Sequence, residues 1–277
     1  MRSTHLVWDG AVLRGGWMAA ALLLSVAPLP AQGLAERISG APDGAVRITV
    51  PARPGICGNG ESISMRHPGR EGVSVSRSSD ARGGRWDEPC VPGPLHIELR
   101  VRRGTVENVN TRVGSFRATQ ERITDLGAIP AEEAVEYLLG LAERGPESVG
   151  KDAIFPVVAA DTDPVHPQLL RLARNEAVPD ETRRGAIFWL SQQAGDAITR
   201  GLGELVEDER EDLGVREHVV FALSQRPPEE AIPALLRVAR TNPEPRLRKQ
   251  ALFWLGQTGD PRALEIFEEI LLGPGPQ

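Results

Sequence analysis

The sequence is short of the features that usually announce chemistry. It has two cysteines in 277 residues, Cys57 and Cys90. Without a matching pair of histidines, two thiols make a poor metal site. No His-Glu-x-x-His string occurs, and His166 and His218 share no common spacing with other candidate ligands. No glycine-rich phosphate cradle opens a helix, and "GVSVS" lacks the second glycine of a nucleophile elbow. The reading therefore expects no catalytic constellation, no cofactor and no metal. A membrane-spanning run of ~20 apolar residues is also missing. The longest candidate, within "WMAAALLLSVAPLPAQ", stops near Pro28.

That short run has another reading. Arg2 and Arg14 precede it and small residues follow, the order of a secretory signal. Cleavage near Ala31 is expected, an uncleaved anchor being the alternative. The absence of a cysteine after the run speaks against a lipid anchor. Export favours joining Cys57 to Cys90, against the alternative of two inert thiols. Such a bridge restricts the unfolded chain by roughly 3–4 kcal/mol.

Charge is uneven. Residues 119–277 carry 28 acidic side chains against 17 basic, while residues 33–118 are mildly basic. The acidic part repels phosphate backbones and anionic lipid, so nucleic acid is not an expected partner.

Along the chain the hydrophobic period changes once. In "LHIELRVRRGTVENVNTRVG", Leu95, Ile97, Leu99 and Val101 alternate with His96, Glu98, Arg100 and Arg102 before a glycine turn. This predicts a β-hairpin, and "AVRITV" and "GVSVSRSS" predict further strands. "RSSDARGGRWDEP" reads as a polar surface loop. From "IPAEEAVEYLLGLAERG" onward the period is helical. The divisions expected are a signal peptide over 1–31, a loose linker over 32–44, a β module over 45–118, a linker over 119–129 and helices over 130–277.

Within the helices one word recurs. "RGAIFWLSQQAG", "EHVVFALSQRP" and "KQALFWLGQTG" align on Phe188, Phe221 and Phe253, which stand 33 and 32 residues apart. Leu190, Leu223 and Leu255 keep the interval, as do Arg183, Arg216 and Arg248. Each word precedes a second amphipathic segment, and a worn copy lies one period earlier at Phe155 and Val157. One helix pair cannot bury its own apolar face, so the pairs must stack into a solenoid. The three phenylalanines are expected to face the shared core.

"LRKQALFWLGQTGDPRALEIFEEIL" resembles the HEAT repeat in its short bacterial form, similar to the repeats of phycobilin lyases. Leu247, Arg248, Ala251, Leu252, Leu255 and Gly256 follow the pattern, and Gly259, Asp260 and Pro261 open the second helix. Asp260 and Pro261 suit the N-cap and first helical position. The resemblance covers residues 148–273. It departs where the middle copy lacks Gly-Asp-Pro and where Pro156 stands inside the earliest copy. It implies an α-α solenoid and says nothing of the strands, which resemble no named family; together the two readings predict an α+β multidomain chain in which a small disulfide-linked antiparallel β module precedes the solenoid. Lyase activity does not follow, because function sits in sites rather than folds.

Two sets of residues carry the functional question. Trp189 and Trp254 occupy equivalent positions, with Ala222 between them: either aromatic anchors for a partner or packing between helix layers. Arg183, Arg216 and Arg248 form either a basic ladder for a ligand or register locks to acids and loop carbonyls. "EDERED" (Glu207 to Asp212) reads as a solvated loop. The function expected is an exported, periplasmic or secreted scaffold whose repeat surface binds another protein. The alternative is a small-molecule-binding or lyase-like enzyme using the solenoid groove.

Overall fold

The computed structural model describes residues 33–60, 62–65, 73–76, 90–114, 122–193 and 195–272. The expected leader over 1–31 and the loop from Arg77 to Pro89 lie outside them.

The described chain opens with α1 (Leu34–Ser39), then β1 (Gly44–Val50), β2 (Ile56–Gly58), β3 (Ser62–Met65), β4 (Val73–Ser76) and β5 (Val91–Pro92). The predicted hairpin follows as β6 (Leu95–Arg102) and β7 (Thr105–Arg112), and β8 (Ile123–Ala128) ends the strand region. One sheet runs β7-β6-β1-β8 and the other β4-β3-β2-β5. Arg103 and Gly104 both take positive φ, 50° and 74°. That is the two-residue turn whose twist suits a tight hairpin. Strand alternation places Val46, Ile48, Val50, Leu95, Ile97, Leu99 and Val101 in the core. The opposite face carries Glu98, which pairs with Arg47 at 2.8 Å and Arg112 at 3.5 Å.

Cys57 and Cys90 are bonded, fastening the second sheet across a separation of 33 residues. Gly58 and Gly114 meet backbone to backbone. A Cβ on Gly58 would stand 2.5 Å from the Val113 carbonyl, and one on Gly114 would stand 2.3 Å from that of Gly58. Only glycines allow that approach.

Two stretches expected as linkers are structured. Within 32–44, α1 buries Leu34 and Ile38 and is held by Leu34 N donating to Glu133 Oε1 at 3.0 Å and Arg37 Nη2 to the Leu126 carbonyl at 2.9 Å. Within 119–129, β8 pairs with β1 in parallel, the one parallel pairing in an otherwise antiparallel arrangement of the described strands.

The helices are α2 (Ala131–Arg144), α3 (Glu147–Ala159), α4 (His166–Arg174), α5 (Asp180–Ser191) and α6 (Asp196–Glu207). They continue as α7 (Leu213–Ser224), α8 (Pro228–Thr241), α9 (Pro245–Thr258) and α10 (Pro261–Leu272). Odd-numbered helices from α3 to α9 pack on one another in one layer, and even-numbered ones from α2 to α10 form the second. α3 runs through Pro156 in its last turn and ends at Ala159. Its free side is covered by β7 and β6, in the place an earlier repeat would occupy. Arg53 N donates to the Ala159 carbonyl at 3.0 Å and Asp161 N to that of Pro51 at 2.9 Å, tying strand end to helix end. One continuous apolar cluster runs from Leu34 to Ile266, so the sheet is the solenoid's N-terminal cap.

Candidate functional site

The arginines one turn into each first-layer helix are used internally. Arg183 Nε donates to the Ala173 carbonyl at 2.9 Å, and Arg216 Nε to that of Val206 at 3.0 Å. Arg248 Nη1 donates to the carbonyls of Asn242 and Pro243, both at 2.8 Å. The first two carbonyls end a preceding second-layer helix, where carbonyls lack intrahelical partners and the dipole favours a cation. Arg183 and Arg216 are buried and Arg248 is half-buried. Arg183 also pairs with Glu211, which is equally buried. "EDERED" is therefore not wholly solvated: its Glu211 turns inward to neutralise Arg183, and its Asp212 caps α7 through Gly214 N and Val215 N.

A fourth arginine escaped the sequence reading. Arg226 is buried and donates to the carbonyls of Ser191, Gln193 and Gly195, from the end of α5 to the N-cap of α6, to Thr199 Oγ1 and to Glu230 Oε2. Its register positions in the neighbouring repeats hold Gln193 and Thr258, so no repeated signal marked it. A single cation where the other copies have neutral residues was the available clue.

The aromatic residues form two groups on the first layer. Trp189 is buried, its ring 5.1 Å from Phe155 and 5.1 Å from Phe188. Trp254 is half-buried, 5.4 Å from Phe221 and 5.1 Å from Phe253. Each tryptophan thus covers the phenylalanine of the preceding repeat. The expectation that Phe188, Phe221 and Phe253 face the core is corrected here. Phe188 and Phe221 are only half-buried and Phe253 is 57 % exposed. The inward positions are Ile187 and Val220, with Leu190, Leu223 and Leu255, all buried. One residue of helix rotates a side chain by about 100°, which carries the phenylalanines to the rim of the layer.

Two open depressions mark the surface. A cleft of about 760 Å³ lies between α1, the β6–β7 turn and α2, lined by Glu36, Glu133, Glu136 and Tyr137. Burial pushes the Tyr137 phenol up to about 12. A groove of about 830 Å³ runs between α6 and α8, lined by Asp196, Glu204, Glu207, Glu229 and Glu230, with Arg200 and Arg237. Ion pairs cross the second layer between successive repeats: Arg174 to Glu204 at 2.6 Å and Arg237 to Glu207 at 2.7 Å. Among the described residues, no group of three or more His, Cys, Asp or Glu is placed to hold a metal ion. No helix of these residues is long and apolar enough to cross a membrane.

The family profile described as HEAT repeats matches residues 166–253 and again 199–276. Helices stacked at the same interval lie under both matches. The helices over residues 166–276 are HEAT repeats. The HEAT match reaches from α4 to α10, and the preceding helices extend the same two layers to the sheet. It concerns the repeat itself and lends no support to the likeness to phycobilin lyases. No curated protein matches this sequence.

Proposed function

We propose that this HEAT array is an exported scaffold that holds another protein against its second helix layer. The observation that carries this reading is the groove between α6 and α8, where five carboxylates meet two arginines along an open surface. Glu204, Glu207 and Glu230 are met by Arg174, Arg237 and Arg226, so the carboxylates turned outward to a partner are those of the exposed Asp196 and Glu229. A partner segment rich in Arg or Lys fits that surface, and its approach is steered by the field of the groove. Nucleic acid does not fit it. Export is supported by the order of charges and apolar residues in the leader and by the Cys57–Cys90 bond.

The test is a pair of affinity captures from the envelope fraction, with the parent protein and with Asp196→Lys/Glu229→Lys as bait. Both residues are exposed, and reversing them in the first turns of α6 and α8 costs each helix no more than about 1 kcal/mol. A protein held by the parent and released by the reversed groove supports the reading. Equal capture by both baits overturns it. Mass spectrometry of the isolated protein checks export: a start near Gln32 and no free thiol are expected.

A further inference from the structure

Among the described residues, one end of the stack is covered by strands and the other exposes apolar side chains. At the first, α3 lies under β6 and β7. At the second, Phe253 of α9 is 57 % exposed and Leu264 of α10 is 60 % exposed. Their register positions one repeat earlier are Phe221, which Trp254 covers at 5.4 Å, and Ile232, which is fully buried. Both positions are therefore built to be covered by a following layer. The charged positions repeat the pattern. Glu217 of α7 is met by Arg246 of the next repeat at 2.9 Å, and its equivalent in α9 is the exposed Lys249.

The open face is also complementary to itself. α9 carries no acid; its Arg246 is met by Glu217 and its Arg248 by loop carbonyls, so the exposed Lys249 is the cation it turns to the open face. On α10, Glu265 and Glu268 are exposed, Glu268 one turn beyond Leu264, while Arg262 is held by Asp260 at 2.9 Å. We propose that a second copy of this chain covers the open end, tail to tail, with α9 of one protomer laid on α10 of the other. A two-fold arrangement brings each Lys249 to the partner's Glu265 and Glu268 and each Phe253 against the partner's Leu264. Head-to-tail growth into a filament is blocked, because the opposite end is occupied by the sheet. A two-fold contact closes on itself.

Helices of 14 and 12 residues are ~20 Å long and lie ~10 Å apart, which places the contact at the small end of stable interfaces. The dimer is therefore reversible, forming and dissociating over the micromolar range rather than being obligate. This inference is independent of the partner groove on α6 and α8, and a monomeric protein would leave that reading intact.

Sedimentation equilibrium of the purified protein from about 1 µM to about 1 mM tests it. A monomer–dimer equilibrium is expected. Phe253→Glu or Leu264→Glu should raise the dissociation constant by at least ~10-fold, since each substitution acts twice in a two-fold contact. Lys249→Glu and Glu268→Lys should each weaken the dimer, and the double exchange should restore it. All four residues are exposed, so melting temperatures should match the parent. A protein monomeric at every concentration overturns the proposal. So does a dimer indifferent to both glutamate substitutions, or a double exchange no tighter than either single one.

Discussion

Arg183 and Glu211 face each other with side chains only 3 % and 4 % exposed, 28 residues apart and in successive repeats. The pair joins the start of α5 to the loop ahead of α7, while Arg183 Nε holds the end of α4. Removing Glu211 leaves the buried Arg183 with only the half-exposed Asp180, at 3.6 Å, as an opposite charge. Glu211→Leu should therefore cost ~3–5 kcal/mol. Arg183→Met combined with Glu211→Leu should cost less than the sum of the two single changes, because neither charge is then left alone. Urea denaturation of the four proteins in the cycle measures the coupling. Additive losses, or a Glu211→Leu protein within about 0.5 kcal/mol of the parent, would show that the pair is not buried as described.

A second prediction concerns acid. Burial and the neighbouring Arg184 charge hold His218 below its ordinary value of 6.5, and burial with Arg47 does the same to His96. Below pH 6.5 the unfolded chain takes up these protons more readily than the fold does. Stability linked to both histidines is thus present above the unfolded value and lost as pH falls through the lower folded values. Glutamine, the residue found at the equivalent position 250, is a suitable replacement for His218. His218→Gln should flatten the decline in denaturation midpoint between about pH 7 and pH 5 relative to the parent. An unchanged slope would mean that His218 titrates alike in both states.

The helical half was legible because its signal is self-repetition. A spacing of 32 or 33 residues recurs in Phe, Leu, Gln and Arg, and stacking requires the same core of every pair. Arg183 and Arg216 could be placed on one face, but their carbonyl partners could not, since Ala173 and Val206 carry no side-chain signal. Glu211 and Arg226 were hidden for a related reason: each serves one repeat only. α1 is six residues long, too short to be stable alone, and exists through Glu133 and Leu126 far along the chain. β8 likewise owes its extended form to pairing with β1, a relationship no local pattern encodes. The phenylalanines differ from expectation because an apolar position in a repeat need not face the core. Repeats have a second apolar surface, the one that meets the next repeat at the rim.

That rim supplies the last prediction. Trp189 is wedged between Phe155 and Phe188 and buried, whereas Trp254 is half-buried and lies beside an exposed Phe253. The chain has five tryptophans, so variants retaining only one are needed to separate the signals. Acrylamide should quench the Trp254-only protein several times more steeply than the Trp189-only protein. The phenylalanines should divide in the same way. Phe221→Ala removes a ring covered by Trp254 and should cost ~2 kcal/mol, below the ~3–5 kcal/mol of a fully enclosed phenylalanine. Phe253→Ala, at the open end, should cost no more than ~0.5 kcal/mol when measured on the dilute monomer. Equal quenching of the two indoles, or equal losses at Phe221 and Phe253, would mean that the final repeat is covered as fully as the middle one. In that case the open end described above is closed within a single chain, and no second copy is needed to explain Phe253.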